Sequence, residues 1–217
     1  MPARYLARQR GRPAESGPVR DPRESRAAFL GKGVAAAGAV AGGAIVLGRG
    51  AGPARSSPSA AQDVRILNFL LLLEYLQADF YAQATKAGRL SGELADFARI
   101  VAGHEQAHVT FLRQTLGARA RKKPRLEFGD AVRDRQRFTS VAASLEETGV
   151  QAYNGQGASL TAGALASITK IVSVEARHAA WIRDILGEIP APRAADPSET
   201  AVQVDAALKK TGFIRGG

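Results

Sequence analysis

The sequence predicts an all-α fold, an antiparallel four-helix bundle with one long crossover and a short C-terminal helix. Three observations predict it. Apolar residues recur at i, i+3, i+4 and i+7 over four long stretches between Asp63 and Leu186. Glycines and capping residues separate the stretches into two pairs joined by short turns, with a longer charged link between the pairs. One pattern is also given twice: a glutamate, then about thirty residues later Glu-x-x-His. It appears as Glu74 with Glu105 and His108, and again as Glu146 with Glu175 and His178.

Composition sets the frame. A chain of 217 residues, 45% hydrophobic, holds a single helical core that needs no covalent staple. The absence of cysteine excludes disulfides and thiolate metal sites. The net charge of +10 invites a nucleic-acid reading, but its distribution argues against one. Residues 1–59 carry ten basic and three acidic side chains, whereas residues 60–217 carry twenty and seventeen. The basic cluster Arg119, Arg121, Lys122, Lys123 and Arg125 has no interleaved aromatics on which bases could stack, so no nucleic-acid partner is expected.

Residues 1–60 are expected to be an export signal or disordered leader. Seven arginines precede the soft apolar run Val34 to Leu47, and small residues follow it, the order of an export signal. Fourteen residues are too few for a stable membrane span, so none is expected in the mature chain. Ser25-Arg26-Ala27-Ala28-Phe29-Leu30 resembles a twin-arginine signal with Ala27 in place of the second arginine. Cleavage is served equally by Ser57 with Ser59 or Ser59 with Ala61 as the small pair. The expected location is exported, periplasmic or cell-envelope.

Residues 61–187 are expected to form the bundle. The first helix spans about Asp63 to Lys86, with Leu67, Leu70, Leu71, Glu74, Ala78 and Tyr81 on one stripe; Gly88 stops it and Ser91 can cap the next. The second runs to about Leu116 and aligns Leu94, Ala98, Val101, Glu105, His108 and Leu112. His104 lies about 100° around from Glu105, which suits a structural or supporting role better than ligation. Ala118 to about Arg133 is a connection. Its sixteen residues reach about 53 Å when extended, and a 25-residue helix is about 37 Å long, so the link can cross the whole bundle. The third helix, about Asp134 to Asn154, aligns Phe138, Ala142, Glu146, Gly149 and Tyr153, with Gly155, Gly157 and Thr161 as turn and cap. Glu146 and Glu147 compete for one role there; the seven-residue spacing to Tyr153 copies that of Glu74 to Tyr81 and favours Glu146. The fourth helix runs to Leu186 and aligns Leu165, Ile168, Val172, Glu175, His178, Ile182 and Ile185. Residues 188–217 form a tail in which Asp196 and Glu199 suggest a capping box for a short helix through Leu208, with Phe213 and Ile214 free to fold back.

On a helix, residues three apart share a face, so each Glu-x-x-His aims a carboxylate and an imidazole at one spot. The midpoint of Glu74 and Glu105 falls in the Gly88–Ser91 turn, and that of Glu146 and Glu175 beside Thr161, which puts all six side chains at one height. Four buried carboxylates are costly as bare charges, and two divalent cations would cancel them. Glu74, Glu105, His108, Glu146, Glu175 and His178 are therefore the candidate ligands of two divalent ions, and oxygen and imidazole donors without sulfur suit iron or manganese. Tyr81 and Tyr153, with Gln77 and Glu147, are candidates for the surrounding layer. No residue can be singled out as catalytic.

The chain resembles the ferritin-like superfamily of di-iron carboxylate proteins, nearest to exported bacterial ferritin-like domain proteins related to plant desiccation-associated proteins. The resemblance rests on Leu73-Glu74-Tyr75-Leu76 with Phe80-Tyr81, on His104-Glu105-Gln106-Ala107-His108, on Leu145-Glu146 with Thr148-Gly149-Val150 and Ala152-Tyr153, and on Glu175-Ala176-Arg177-His178. It implies the same six ligands, with Glu105 and Glu175 bridging. It also implies ferrous iron with dioxygen or peroxide as small-molecule substrates, stress protection as the role, and compatibility with a homo-oligomer. Gln77 stands where many relatives have a further acid, and Val174 where some oxygen-activating members have an aspartate supporting the histidine. Those departures favour the alternative of a non-catalytic, metal-stabilised binding or structural protein of the desiccation-related type. No segment for building an iron-storage cage is legible.

Overall fold

A computed structural model describes residues 57–215 of the chain. The expected leader and its Ala27-containing signal lie outside the described residues, apart from the last few positions before residue 61. Among the described residues no helix is long and apolar enough to cross a membrane.

The fold is all-α. Helix α1 (Ala60–Ala87) is capped by Ser59, whose hydroxyl accepts from the Gln62 amide at 3.3 Å, and it ends at Gly88 in the left-handed region. Helix α2 (Glu93–Leu116) starts from Gly92 rather than from a Ser91 cap. Gly92 has φ +61° and ψ −148°, a turn open to glycine alone, and no side chain caps the helix. Helix α3 (Arg135–Gly157) is capped by Asp134, and α4 (Ala162–Ile185) begins after Thr161. The expected turn at Gly155 and Gly157 comes later, over 158–161, because both glycines continue the helix. Helix α5 (Ala201–Thr211) is capped by a box of Thr200 and Gln203, not of Asp196 and Glu199. Glu199 is instead held in extended chain, its amide donating to the Gln151 carbonyl of α3 at 3.0 Å.

The crossover can be followed contact by contact up α1. Asn68 donates to the Arg119 carbonyl and accepts from the Arg121 amide at 2.6 Å; Tyr75 then donates to the Arg121 carbonyl; Asp79 pairs with Lys123 at 2.8 Å. Phe128 next packs edge-on to Phe80 at 5.5 Å. The link therefore travels from the start of α1 to its end, and α3 begins beside the α1–α2 turn, where Arg135 donates to the Ser91 carbonyl. At the opposite end, Asp63 accepts from both the amide and hydroxyl of Thr161, at 2.9 and 2.6 Å. These two ties make α1 and α3 antiparallel and set the levels on which the site depends. A two-residue ladder pairs β1 (Arg125–Leu126) with β2 (Ile214–Arg215), and Phe213 packs on Phe128 at 5.1 Å, so the tail does fold back.

The core is leucine-rich along α1 and aromatic towards the α1–α2 turn, where Phe80 stacks on Phe138 at 5.2 Å and Tyr81, Phe97 and Trp181 pack around them. The expected stripes of α1, α2 and α3 are buried, whereas on α4 Val172 and Ile185 are half-buried and Leu165 is exposed. Leu165 is 38% exposed, because it lies in the first turn of α4 at the end of the bundle.

Candidate metal centre

Four helices each carry part of the centre to mid-bundle. Glu74 comes from α1, Glu105 and His108 from α2, Glu146 from α3, and Glu175 and His178 from α4. All four carboxylates are completely buried, and the two histidines nearly so. Their atoms form two overlapping groups, Glu74–Glu105–His108–Glu175 and Glu105–Glu146–Glu175–His178, and within each the donor atoms all lie within 4.8 Å of one another. Glu105 and Glu175 belong to both groups, so each can reach both positions.

The Nδ1 atoms of the histidines point inward. His108 Nδ1 lies 3.1 Å from Glu175, 3.3 Å from Glu74 and 3.4 Å from Glu105. His178 Nδ1 lies 3.1 Å from Glu105 and 3.2 Å from Glu146. Glu146 is the member of the Glu146–Glu147 pair that enters the centre. Glu147 faces outward, paired with Arg183 and Arg193 and accepting from Gln151 at 3.2 Å. It therefore ties α3 to α4 and the tail rather than supporting the centre.

Tyr81 and Tyr153 reach across the bundle. Tyr81, on α1, donates to Glu146 Oε1 on α3 at 2.5 Å, and Tyr153, on α3, donates to Glu74 Oε1 on α1. Neither bonds the glutamate two turns away on its own helix. The antiparallel run of α1 and α3 brings each tyrosine level with the opposite carboxylate. Each bond occupies one oxygen and leaves the other, Oε2, free to face the centre. Burial first, then the nearby charge of Glu146 or Glu74, pushes both phenols well above their usual range, so both remain proton donors.

Gln77 breaks this symmetry. Its amide donates to Glu146 Oε1 at 3.2 Å and, longer, to Glu175 Oε2 at 3.5 Å. Both oxygens of Glu105 remain free, whereas Glu175 presents only Oε1. Gly149, on α3, makes room for this arrangement, since a Cβ there would sit 3.0 Å from Glu175 Oε2. Its place on the buried stripe was legible in the sequence, but its role as clearance was not. The contact of His104 with His178 was equally hidden. His104 Nδ1 lies 2.9 Å from His178 Nε2, with the rings stacked at 5.1 Å.

The family model of the ferritin-like domain matches residues 62–188. The chain belongs to the ferritin-like family. The match takes in all four bundle helices and every residue of the buried centre. No curated protein matches the chain in sequence.

The buried Glu and His groups of this ferritin-like centre suggest a metal site, and their chemistry bears on that fit. Among the described residues, the buried side-chain atoms without a hydrogen-bond partner are Glu74 Oε2, both oxygens of Glu105, His108 Nδ1, Glu146 Oε2, Glu175 Oε1, His178 Nδ1 and Gln77 Oε1. All but the last belong to the six residues of the two groups. Leaving so many buried polar atoms unmatched costs on the order of 1–3 kcal/mol each, more for charged ones. A cation about 2.1 Å from each donor would hold those donors roughly 3–4 Å apart, as they are found. The residues fit a pair of cations.

The metal-free electrostatics carry the same imprint. Burial, then the charge of Glu105, raises Glu74 to about 7; burial, then Glu74, raises Glu175 to about 7. Burial alone would lower the histidines, but the crowded oxygens of Glu105, Glu175 and Glu74 push His108 up to about 12, and those of Glu105 and Glu146 push His178 up to about 10. Without cations, the centre balances its charge with protons. His104 moves the other way, lowered by burial and by its neighbours His178, His108 and Arg177.

Proposed function

We propose that this ferritin-like protein is a dinuclear metal carboxylate protein of the cell envelope that oxidises ferrous iron, or reduces dioxygen or peroxide, as stress protection. The observation that carries this reading is the set of enclosed carboxylate and imidazole atoms, partnerless and converging on two adjacent points. The envelope location rests on the composition of residues 1–60, and the nearest subtype, exported and desiccation-related, on the motifs quoted above. Glu74, Glu105, His108, Glu146, Glu175 and His178 would hold two iron ions, which would supply the two electrons by which one peroxide, taking up two protons, becomes two waters. Manganese is the second choice of metal.

The chain's own residues prepare that chemistry. Tyr81 and Tyr153 orient Glu146 and Glu74, so that each offers a single inward oxygen. Glu105, with both oxygens free, would span the two positions, and Glu175 would reach both through Oε1. The leucines of α1 and the aromatic cluster exclude water on the α1 and α3 side, leaving α2 and α4 as the side of approach, where His104 reaches solvent. Aerobic addition of ferrous iron to metal-free protein should give a ferric absorbance that saturates at two irons per chain. Iron bound without that absorbance refutes the oxidase reading.

One observation favours the alternative, a metal-stabilised protein without turnover. Gln77 and Tyr81 both hold Glu146 Oε1, at 3.2 and 2.5 Å, and a carboxylate so tied is poorly placed to shift during a redox cycle. That reading predicts that metal removal lowers the melting temperature while peroxide consumption stays at background.

A further inference from the structure

We infer that His104 is a positioning residue for His178, and that it makes the two metal positions unequal, the one at His178 being the tighter. The inference rests on the dinuclear reading above. His178 aims Nδ1 at Glu105 and Glu146. Ligation through Nδ1 requires that nitrogen to be bare and leaves the ring proton on Nε2. His178 Nε2 lies 2.9 Å from His104 Nδ1, so the N–H donates to His104. The two rings are nearly parallel, 14° apart with centroids 5.1 Å from each other, which fixes the plane of His178 as well as its tautomer.

A ligating imidazole is oriented and made more basic by the acceptor its other nitrogen meets. Among the described residues His108 has no such acceptor: its Nδ1 faces Glu74, Glu105 and Glu175, and no side chain or backbone group meets its Nε2. Its ring meets His178 only at 6.2 Å and a 31° tilt. The doubled Glu-x-x-His pattern is symmetric, yet only one of its histidines is held from behind. The support arrives from the neighbouring helix α2, one residue before the shared ligand Glu105, so a single turn of α2 supplies a carboxylate to the centre and an acceptor to the ligand of α4.

The test is an anaerobic cobalt(II) titration of the metal-free full-length chain against a competing chelator, read in the visible cobalt bands. Wild type should take up cobalt in two resolved steps. His178→Ala should delete the tighter step and His108→Ala the weaker. His104→Ala should weaken the tighter step by about tenfold to a hundredfold and leave the other unmoved. His104→Asn should restore it, because its side-chain oxygen lies where Nδ1 lies and can accept the same proton. Two unchanged steps in His104→Ala overturn the inference and leave the dinuclear centre standing. So does an equal loss in His104→Asn, or a loss in both steps matched by a fall in metal-free melting temperature, since either marks a packing role. Wild type that binds no cobalt overturns the dinuclear reading, and this inference with it.

Discussion

Gly149→Ala should move fold stability and metal affinity in opposite directions. Gly149 is inside α3, and replacing a helix-interior glycine with alanine stabilises by about 1 kcal/mol through backbone entropy. For a described region of this size, that raises the melting temperature by roughly 2–4 °C. The added Cβ would sit 3.0 Å from Glu175 Oε2 and 3.5 Å from Gln77 Nε2, where ordinary contact begins at 3.4 Å. Glu175 must give way by about 0.4 Å, and it can, because Oε2 is held only by the long contact to Gln77 at 3.5 Å. Metal coordination tolerates displacements of about 0.2 Å, so the same shift weakens binding at both positions, by roughly tenfold. The assay is paired: thermal unfolding of metal-free protein, and competitive manganese or cobalt titration. Unchanged affinity would show that Glu175 is not seated as argued. A metal-free protein melting more than several degrees lower would show that Glu175 cannot yield.

Metal and pH should act on stability in opposition. Glu74 and Glu175, raised to about 7, resist ionisation in the fold and cost it stability increasingly as pH rises from 4.5 through 7. His108 and His178, raised to about 12 and 10, contribute stability that is full below pH 6.5 and lost as pH rises towards those values. The metal-free protein should therefore melt lower at pH 8.5 than at pH 5.5. Metal binding must expel these protons, so the stabilisation conferred by manganese should widen over the same range; melting curves that fail to diverge would contradict the ligand assignment. Tyr81→Phe or Tyr153→Phe should each cost about 1–3 kcal/mol in the metal-free chain, because a buried carboxylate loses its donor. Denaturant unfolding measures this, and a neutral result would place those carboxyls elsewhere. Glu147→Gln should leave metal stoichiometry intact and cost no more than about 1 kcal/mol, whereas Glu146→Gln should remove the His178 position. Metal content by elemental analysis separates the two. Gly155→Ala should undock residues 188–200, since its Cβ would run into the Glu199 backbone carbonyl; faster proteolysis of the tail, with metal binding retained, is the expected readout.

The all-α bundle, its pairing into two hairpins and the long crossover were legible because periodicity and turn residues act locally. Leu70, Leu71, Phe138 and Ile182 could be placed in the core from spacing alone, as could Glu74, Glu105, Glu146 and Glu175. The starts of α2 and α5 were misread because Ser91 and Asp196 are good caps in isolation. Chain geometry preferred the left-handed Gly92 and the reciprocal box of Thr200 with Gln203. The turn after α3 fell later than its glycines suggested, since Gly155 is small to admit the tail at Glu199 rather than to break the helix.

What the sequence determined by itself is a count of donors and their height along each helix, because both follow from 3.6 residues per turn and the lengths of the short turns. What tertiary structure alone decided is which group meets which. Tyr81 binds the carboxylate of α3 and Tyr153 that of α1, Glu147 turns to Arg183, Gln77 ties down Glu146, and His104 backs His178. Those pairings depend on how four helices rotate about their own axes when packed. That rotation is set by the whole core at once, by Phe80 on Phe138 and Trp181 on Phe97 as much as by the centre itself. No local pattern encodes it, and so the twofold symmetry of the motif ends in a centre whose two halves are held differently.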